Sequence, residues 1–302
     1  MRQILQFLTF SFLLFIVPCS SFAGNDKLLH EKTFPTPKDQ LLKVEVPGAD
    51  VLVSGWDKEE VNIKTYGDRK AEEKFDFSYE KTSYGVLIKI KKRGGFLSSM
   101  FNWHSYSLKL EIKVPKKYNT DLNTSGGDIN LTEISGDLKA NTSGGEIKVI
   151  ASSGKLGSST SGGDIYVDNF YGPMKVSTSG GDVTVKNITG DVNASTSGGN
   201  MKLSVKNGKV SAGTTGGDVK MSYDGENKGI NLSSTGGDIE LVLPSDFKAR
   251  VYLSTTGGDV MCDFPTSKTY KIKSSRFDAE LNGGGPDVKC TTTGGDVTIK
   301  KK

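Results

Sequence analysis

One six-residue phrase recurs nine times along this 302-residue chain: a pair of serines or threonines, two glycines, an acidic or amide residue, and an apolar one. The first copy is Thr124-Ser125-Gly126-Gly127-Asp128-Ile129, and further copies begin at Thr142, Thr160, Thr178, Thr196 and Thr214, each 18 residues after the last. Ser234, Thr255 and Thr292 open the remaining three, after intervals of 20, 21 and 37 residues. A fixed period of this kind is the signature of stacked repeats, in which each unit buries its apolar face only against its neighbours. It constrains the fold more than any other feature, and it makes the repeated residues structural by default.

Inside each unit the apolar residues alternate in two short bursts, as in Ile129/Leu131 with Leu138/Ala140, Ile165/Val167 with Met174/Val176, and Val183/Val185 with Val192/Ala194. Period-two alternation between glycine-rich breaks predicts strands, two per unit. No helical periodicity follows the first 23 residues. Two topologies fit, a parallel β-solenoid with one coil per unit and an antiparallel meander. The solenoid is favoured, because one turn of each unit is always Gly-Gly and the other varies (Ser135-Gly136, Gly172-Pro173, Asn207-Gly208). In a solenoid each phrase is expected to lie over the last. At about 4.8 Å per coil, nine coils make a rod on the order of 40 Å long.

The alternation sorts the polar residues. Thr142, Thr160, Thr178, Thr196 and Thr214 fall inward, where buried hydroxyls need backbone partners. This excludes an outward Thr-x-Thr face of the ice-binding kind. The glycines suit positive φ or a close backbone approach. One outer face carries charged and mixed residues such as Glu146/Lys148 and Asp182/Thr184/Lys186. The other is small and polar, with Lys139/Asn141, Lys175/Ser177, Asn193/Ser195, Ser211/Gly213 and Asn231/Ser233. That second face could meet a sugar or a partner, or simply face solvent.

The fifth position of the phrase is a column of acids: Asp128, Glu146, Asp164, Asp182, Asn200, Asp218, Asp238, Asp259 and Asp296. Stacked one coil apart, neighbouring charges repel by about 1 kcal/mol in water. Two readings are open, a ladder of bound calcium and a set of oxygen acceptors for turn N–H groups. Calcium β-rolls need Gly-Gly-x-Gly-x-Asp on both edges. Here Gly-Gly is followed directly by the acid, on one edge only. Asn200 loses the charge and Glu146 lengthens the arm, yet every copy keeps a side-chain oxygen, which favours turn capping. The acids are evenly spaced rather than paired, so glycosidase chemistry is not indicated. The two histidines, His30 and His104, lie outside the repeat, and no nucleophile elbow or metal-ligand spacing is present. No catalytic, cofactor-binding or metal-binding residue is assigned, no cofactor is expected, and the chain is read as a non-enzyme.

The chain opens like an export signal, with Arg2, the apolar run Ile4 to Val17, and Ser21-Phe22-Ala23 as a cleavage site before Gly24. Cys19 offers an alternative, lipoprotein reading, which Pro18 disfavours. Removing residues 1–23 leaves 38 basic and 35 acidic side chains, a net charge of +3. This is too mild to imply nucleic acid. Export permits a disulfide, and Cys262 and Cys290 either pair or remain as buried thiols. The expected organisation is a signal peptide at 1–23, a β-rich cap or irregular first coils at 24–117, and the repeat at 118–302 with an irregular insertion at 263–287. The link between two cap strands holds the candidate partner-contact residues Phe96, Leu97, Met100, Phe101 and Trp103. Lys89, Lys91, Lys92 and Arg93 precede it, a composition suited to peripheral membrane contact or a partner.

The leader, the segment Val51-Leu52-Val53-Ser54-Gly55-Trp56-Asp57, the Val114-Pro115 step and the repeated Thr-Ser-Gly-Gly-Asp-Ile phrases together resemble a bacterial "putative adhesin" domain family of unknown function. The likeness spans about residues 40–300. It implies an all-β solenoid placed in the periplasm, on the cell surface or outside the cell, binding an envelope protein or glycan. It supplies no catalytic residue. The alternative function is a carbohydrate-active or calcium-dependent surface protein of the same fold.

Overall fold

The computed structural model describes residues 26–93 and 106–302; the leader at 1–23 and the aromatic link at 94–104 lie outside the described residues. The described chain is all-β. Its 26 strands join in one continuous hydrogen-bonded sheet, and a single short helix accompanies them.

Within the repeat the strands run parallel and pair at the repeat distance. Ile147 lies opposite Ile165, Val183 opposite Met201, and Leu156 opposite Met174. Strands that follow a phrase, such as Ile165–Tyr171 and Val183–Thr189, form a first ladder. Strands that lead into a phrase, such as Met174–Ser177 and Val192–Ser195, form a second. An antiparallel meander does not fit this register. Each unit therefore adds one rung to each ladder, and like residues sit over like. The pleat sends alternate side chains to opposite faces, so Ile165, Val167, Val176, Val183 and Val185 are fully buried between the ladders.

The two corners of a rung are built differently. At the variable corner a residue in the left-handed region re-aims the chain: Glu133, Ala151, Asn169 and Asn187 have φ of 58°, 49°, 54° and 52°. The bend turns the next side chain inward, so Ile134, Phe170 and Ile188 join the core. At the phrase corner the second glycine does the work. A Cβ on Gly145, Gly163 or Gly181 would overlap the carbonyl oxygen of the equivalent glycine one rung below. The first glycine is different, since a Cβ on Gly180 would meet nothing nearer than 3.6 Å. Neither Gly180 nor Gly181 has positive φ, so close approach alone fixes the second glycine.

Three features go beyond what the repeat alone gives. The first is the order of the last rungs. The strands Asp287–Thr291 and Val297–Lys301 do not follow the rung of Ala249–Ser254 and Val260–Cys262 but slot beneath it. Val297 pairs with both Ile239 and Val260, and Val288 with both Ile230 and Val251. The phrases thus stack in the order Ser234, Thr292, Thr255. The physical reason is the hairpin Thr266–Lys273 and Arg276–Leu281, which pairs antiparallel with Ala249–Ser254, takes its outer edge, and sends the chain back down.

The second is at the other end. Leu41–Val46 and Asp50–Trp56 pair in parallel with Asn119–Thr124 and Ile129–Thr132, so Pro47-Gly48-Ala49-Asp50 occupies a phrase corner without spelling the phrase. Beyond them Gly85–Lys92 and Leu108–Pro115 add one more parallel rung; there the pairing turns antiparallel, and Lys27–Pro35 and Phe75–Thr82 end the two ladders. The third is a helix, Arg69–Lys74, where no helical pattern was read. Six residues with one buried side chain, Ala71, are too few to show a 3.6-residue period; Asp68 caps it by accepting from the Ala71 N–H at 2.8 Å.

Candidate functional site

The acidic column stands at the phrase corner, and one oxygen of most of its members is already engaged. Asp128 Oδ1 accepts from the backbone N–H of Glu146 at 2.8 Å, Asp164 from Asp182 at 2.8 Å, and Asp182 from Asn200 at 2.7 Å. Asn200 acts through its amide oxygen, accepting from Asp218 at 3.0 Å. Asp218 accepts from Asp238, Asp238 from Asp296, and Asp296 from Asp259, following the rung order rather than the chain order. Apart from Glu146 and Asp259, each side chain therefore hydrogen-bonds the next rung instead of its own turn. Below the first phrase Asp50 accepts from Asp128 at 3.0 Å, a member of the column that the sequence conceals in Gly-Ala-Asp-Val. Most of these carboxylates are exposed, so water screens their mutual repulsion. Among the described residues Lys148, Lys202 and Lys220 make no ion pair with the column, and no group of three or more His, Cys, Asp or Glu could hold a metal.

Behind the carboxylates the inward threonines tie rungs together. Thr160 Oγ1 donates to the Gly145 carbonyl at 2.9 Å and accepts from its own Gly163 N–H at 3.3 Å, and Thr178 and Thr196 repeat the pattern. Glu146 is the exception in the column. Its longer arm accepts no bond from Asp164, the next residue up. Glu146→Asp is expected to complete the ladder and raise stability by about 0.5–1 kcal/mol, read as a higher urea midpoint at unchanged slope. A lower midpoint would mean that the column's bonds do not hold rungs together.

The outer face of the second ladder is where unengaged groups collect. In its N-terminal part the polar side chains bond one another: Asn141 Nδ2 donates to Asn123 Oδ1 at 3.1 Å, and Ser159 to Asn141 at 3.4 Å. Farther along, Asn193, Ser211 and Asn231 stand in register one rung apart, and their side chains make no hydrogen bond among the described residues. They floor a groove of about 780 Å³, walled by Met174, Asp191, Lys209, Lys228, Pro286 and Lys289. The groove arises because the floor residues are short while the turns at 224–229 and 282–286 are longer than those below them. Asp191 Oδ1 accepts from the Lys209 N–H at 2.8 Å, and Lys228 pairs with Glu226 at 2.5 Å. The ammonium groups of Lys209 and Lys289 have no carboxylate partner among the described residues. Sequence alternation placed Asn193, Ser211 and Asn231 on this face, but not Lys209, Lys228 or Lys289, which come from turns and from the out-of-order rung.

The remaining candidates are quickly placed. Phe96, Leu97, Met100, Phe101, Trp103 and His104 lie outside the described residues. His30 packs edge-on against Phe77 and meets the Tyr79 hydroxyl at 3.2 Å, and burial holds its pKa below the ordinary imidazole value. Cys290 is buried and Cys262 half-buried; both are free thiols, with pKa values raised by burial.

Comparison with known proteins follows from this geometry. No curated protein matches the chain. Among solved structures it is similar to a "putative adhesin" from Bacteroides fragilis, at 10% identity over 90% of this chain and 96% of that one, with a TM-score of 0.38. It is also similar to a "putative lipid binding protein" from Parabacteroides distasonis, at 12% identity over 92% and 97%, with a TM-score of 0.33. A "putative cell adhesion protein" from Clostridium sporogenes matches at 14% identity over 90% and 99%, with a TM-score of 0.24. At these scores nothing about ligand or partner transfers. The family model, in contrast, covers residues 40–300, from the concealed corner at Asp50 to the inserted last rung, and the chain belongs to the Toastrack DUF4097 family.

Proposed function

We propose that this chain is an exported, non-enzymatic binding or scaffold module of the bacterial envelope. In this reading it is a parallel β-solenoid, with two strands per 18-residue coil and a β-rich N-terminal cap. The partner is a protein or glycan of the envelope or surface, held on the outer face of the second ladder.

The groove of about 780 Å³ over Asn193, Ser211 and Asn231 carries the reading. Its size falls within the range of ligand pockets, its amides and hydroxyl make no hydrogen bond among the described residues, and two of its ammonium groups have no carboxylate partner there. The non-enzyme reading rests on the carboxylates. Asp191 and Asp287 precede residues three rungs apart in the register Val192–Val210–Ile230–Val288. That places them roughly 14 Å from each other by rung spacing, beyond the separation of a glycosidase pair. In the phrase column the acids other than Glu146 and Asp259 accept from backbone N–H groups.

Ser211→Trp fills the groove floor without touching the core, whereas Thr184→Trp places the same bulk on the opposite outer face. Co-sedimentation of residues 24–302 with envelope fractions of the producing bacterium is expected to be lost in the first variant and kept in the second. Equal sedimentation of both would contradict the proposal.

A further inference from the structure

We infer that the groove on the second ladder is a subsite for a linear acidic glycan lying along the stack, which deepens the reading above and rests on it. Three independent features point to this chemistry.

The floor repeats. Asn193, Ser211 and Asn231 present one hydrogen-bonding side chain per rung, about 4.8 Å apart. That interval is close to the length of one pyranose unit, so successive sugars of an extended chain meet equivalent groups. Amides and a hydroxyl both donate and accept, as sugar hydroxyls do. Elsewhere on this face such groups are spent on each other, as Asn123, Asn141 and Ser159 are; here they are unspent.

Two of the three lining lysines stand without a carboxylate partner among the described residues. These are Lys209 and Lys289, which flank the floor, Lys289 lying 5.9 Å from the Tyr252 ring centre; of the two lining acids, Asp191 accepts from a backbone N–H and Asp287 stands at the start of the out-of-order rung. The same face continues past Lys289 onto Tyr252, which lies opposite it in register and also carries the Arg276 guanidinium 4.8 Å from its ring centre. Arg276 Nε is buried there with no hydrogen-bond partner.

The third feature separates a glycan from a protein. A protein partner needs an apolar centre to its footprint. The exposed large apolar side chains of the described chain are Leu28, Tyr84, Tyr171, Met261, Tyr270 and Ile272, and none of them lines the groove. Its apolar lining residues Met174, Val192, Val210 and Ile230 are all buried, so what they and Pro286 present is a set of small surfaces suited to the C–H face of a sugar ring.

The test is calorimetric titration of residues 24–302, in EDTA, with oligomers of galacturonate, of alginate and of hyaluronan, their methyl-esterified forms, and a thymidine oligonucleotide. At least one acidic oligomer is expected to bind, and its neutral ester at least tenfold more weakly. Lys209→Gln and Lys289→Gln are each expected to weaken binding about tenfold, with unchanged thermal melting. Lys202→Gln, on the opposite face, should leave it unchanged. Failure of all three acidic oligomers, equal binding of the esters, or equal binding of the oligonucleotide would overturn the inference. If the oligomers fail while Ser211→Trp still abolishes envelope sedimentation, the glycan falls and the binding module stands.

Discussion

Gly181→Ala is expected to destabilise the protein by about 3 kcal/mol or more, while Gly180→Ala, one residue away, changes stability by about 0.5 kcal/mol at most. The two glycines look equivalent in the phrase. Their surroundings are not. A methyl on Gly181 overlaps the Gly163 carbonyl, a backbone atom that cannot swing away. Relief requires the two rungs to part, which stretches the Thr178 bond to the Gly163 carbonyl and the Asp182 N–H bond to Asp164 together. A methyl on Gly180 reaches only ordinary contact distance, 3.6 Å from the Gly162 and Ser161 carbonyl oxygens. Denaturant melts of the two single variants decide the matter. Equal losses would show that the phrase needs its glycines for backbone freedom rather than for rung contact.

Deleting residues 287–302 is expected to unfold more than it removes. In a stack built in chain order, the last copy is a terminal rung and its loss exposes one surface. Here the deleted strands lie between two rungs, so Ile239 and Leu241 lose their neighbour below Val260 and Cys262, and Val251 and Leu253 lose theirs. The buried side chains removed, Val288, Cys290, Val297 and Ile299, correspond to on the order of 6–12 kcal/mol of burial. That is comparable with the whole stability of a typical domain. Nearest-neighbour coupling confines the damage. Residues 249–281 should lose amide-exchange protection, while residues 129–224 keep theirs. Retained protection at Ala249–Ser254 would mean that this strand does not depend on the inserted rung.

The sequence made the rung legible but not the order of rungs. Period, alternation and the invariant corner were sufficient to place Thr178 inside, Asp182 at the corner and Ser211 outside. They could not say which copy touches which, because the corners are interchangeable: Asp296 accepts from Asp259 in the same way that Asp164 accepts from Asp182. The interval of 37 residues before Thr292 recorded the hairpin without showing that it reverses the stack. At the other end Asp50 was hidden because its corner needs only the acid and one close-packed backbone. Gly48-Ala49 serves there, with the Tyr106 hydroxyl donating to the Pro47 carbonyl. The helix Arg69–Lys74 was missed for lack of length. The binding groove was half legible, its floor set by alternation and its cations by turns whose geometry no pattern encodes.

The rung order is tested most directly by cross-linking. In a background with Cys262 and Cys290 replaced by serine and alanine, paired cysteines at the outward positions Glu240 and Thr298 occupy facing residues of adjacent parallel strands. Cysteines at Glu240 and Met261 are separated by the inserted strand, since Met261 faces Thr298 instead. Facing residues one rung apart, about 4.8 Å, are within disulfide reach, and residues two rungs apart are not. Air oxidation of the folded protein is expected to bridge 240 to 298, and 261 to 298, but not 240 to 261. A bridge between 240 and 261, with none between 240 and 298, would show that the phrases stack in chain order and would contradict the account.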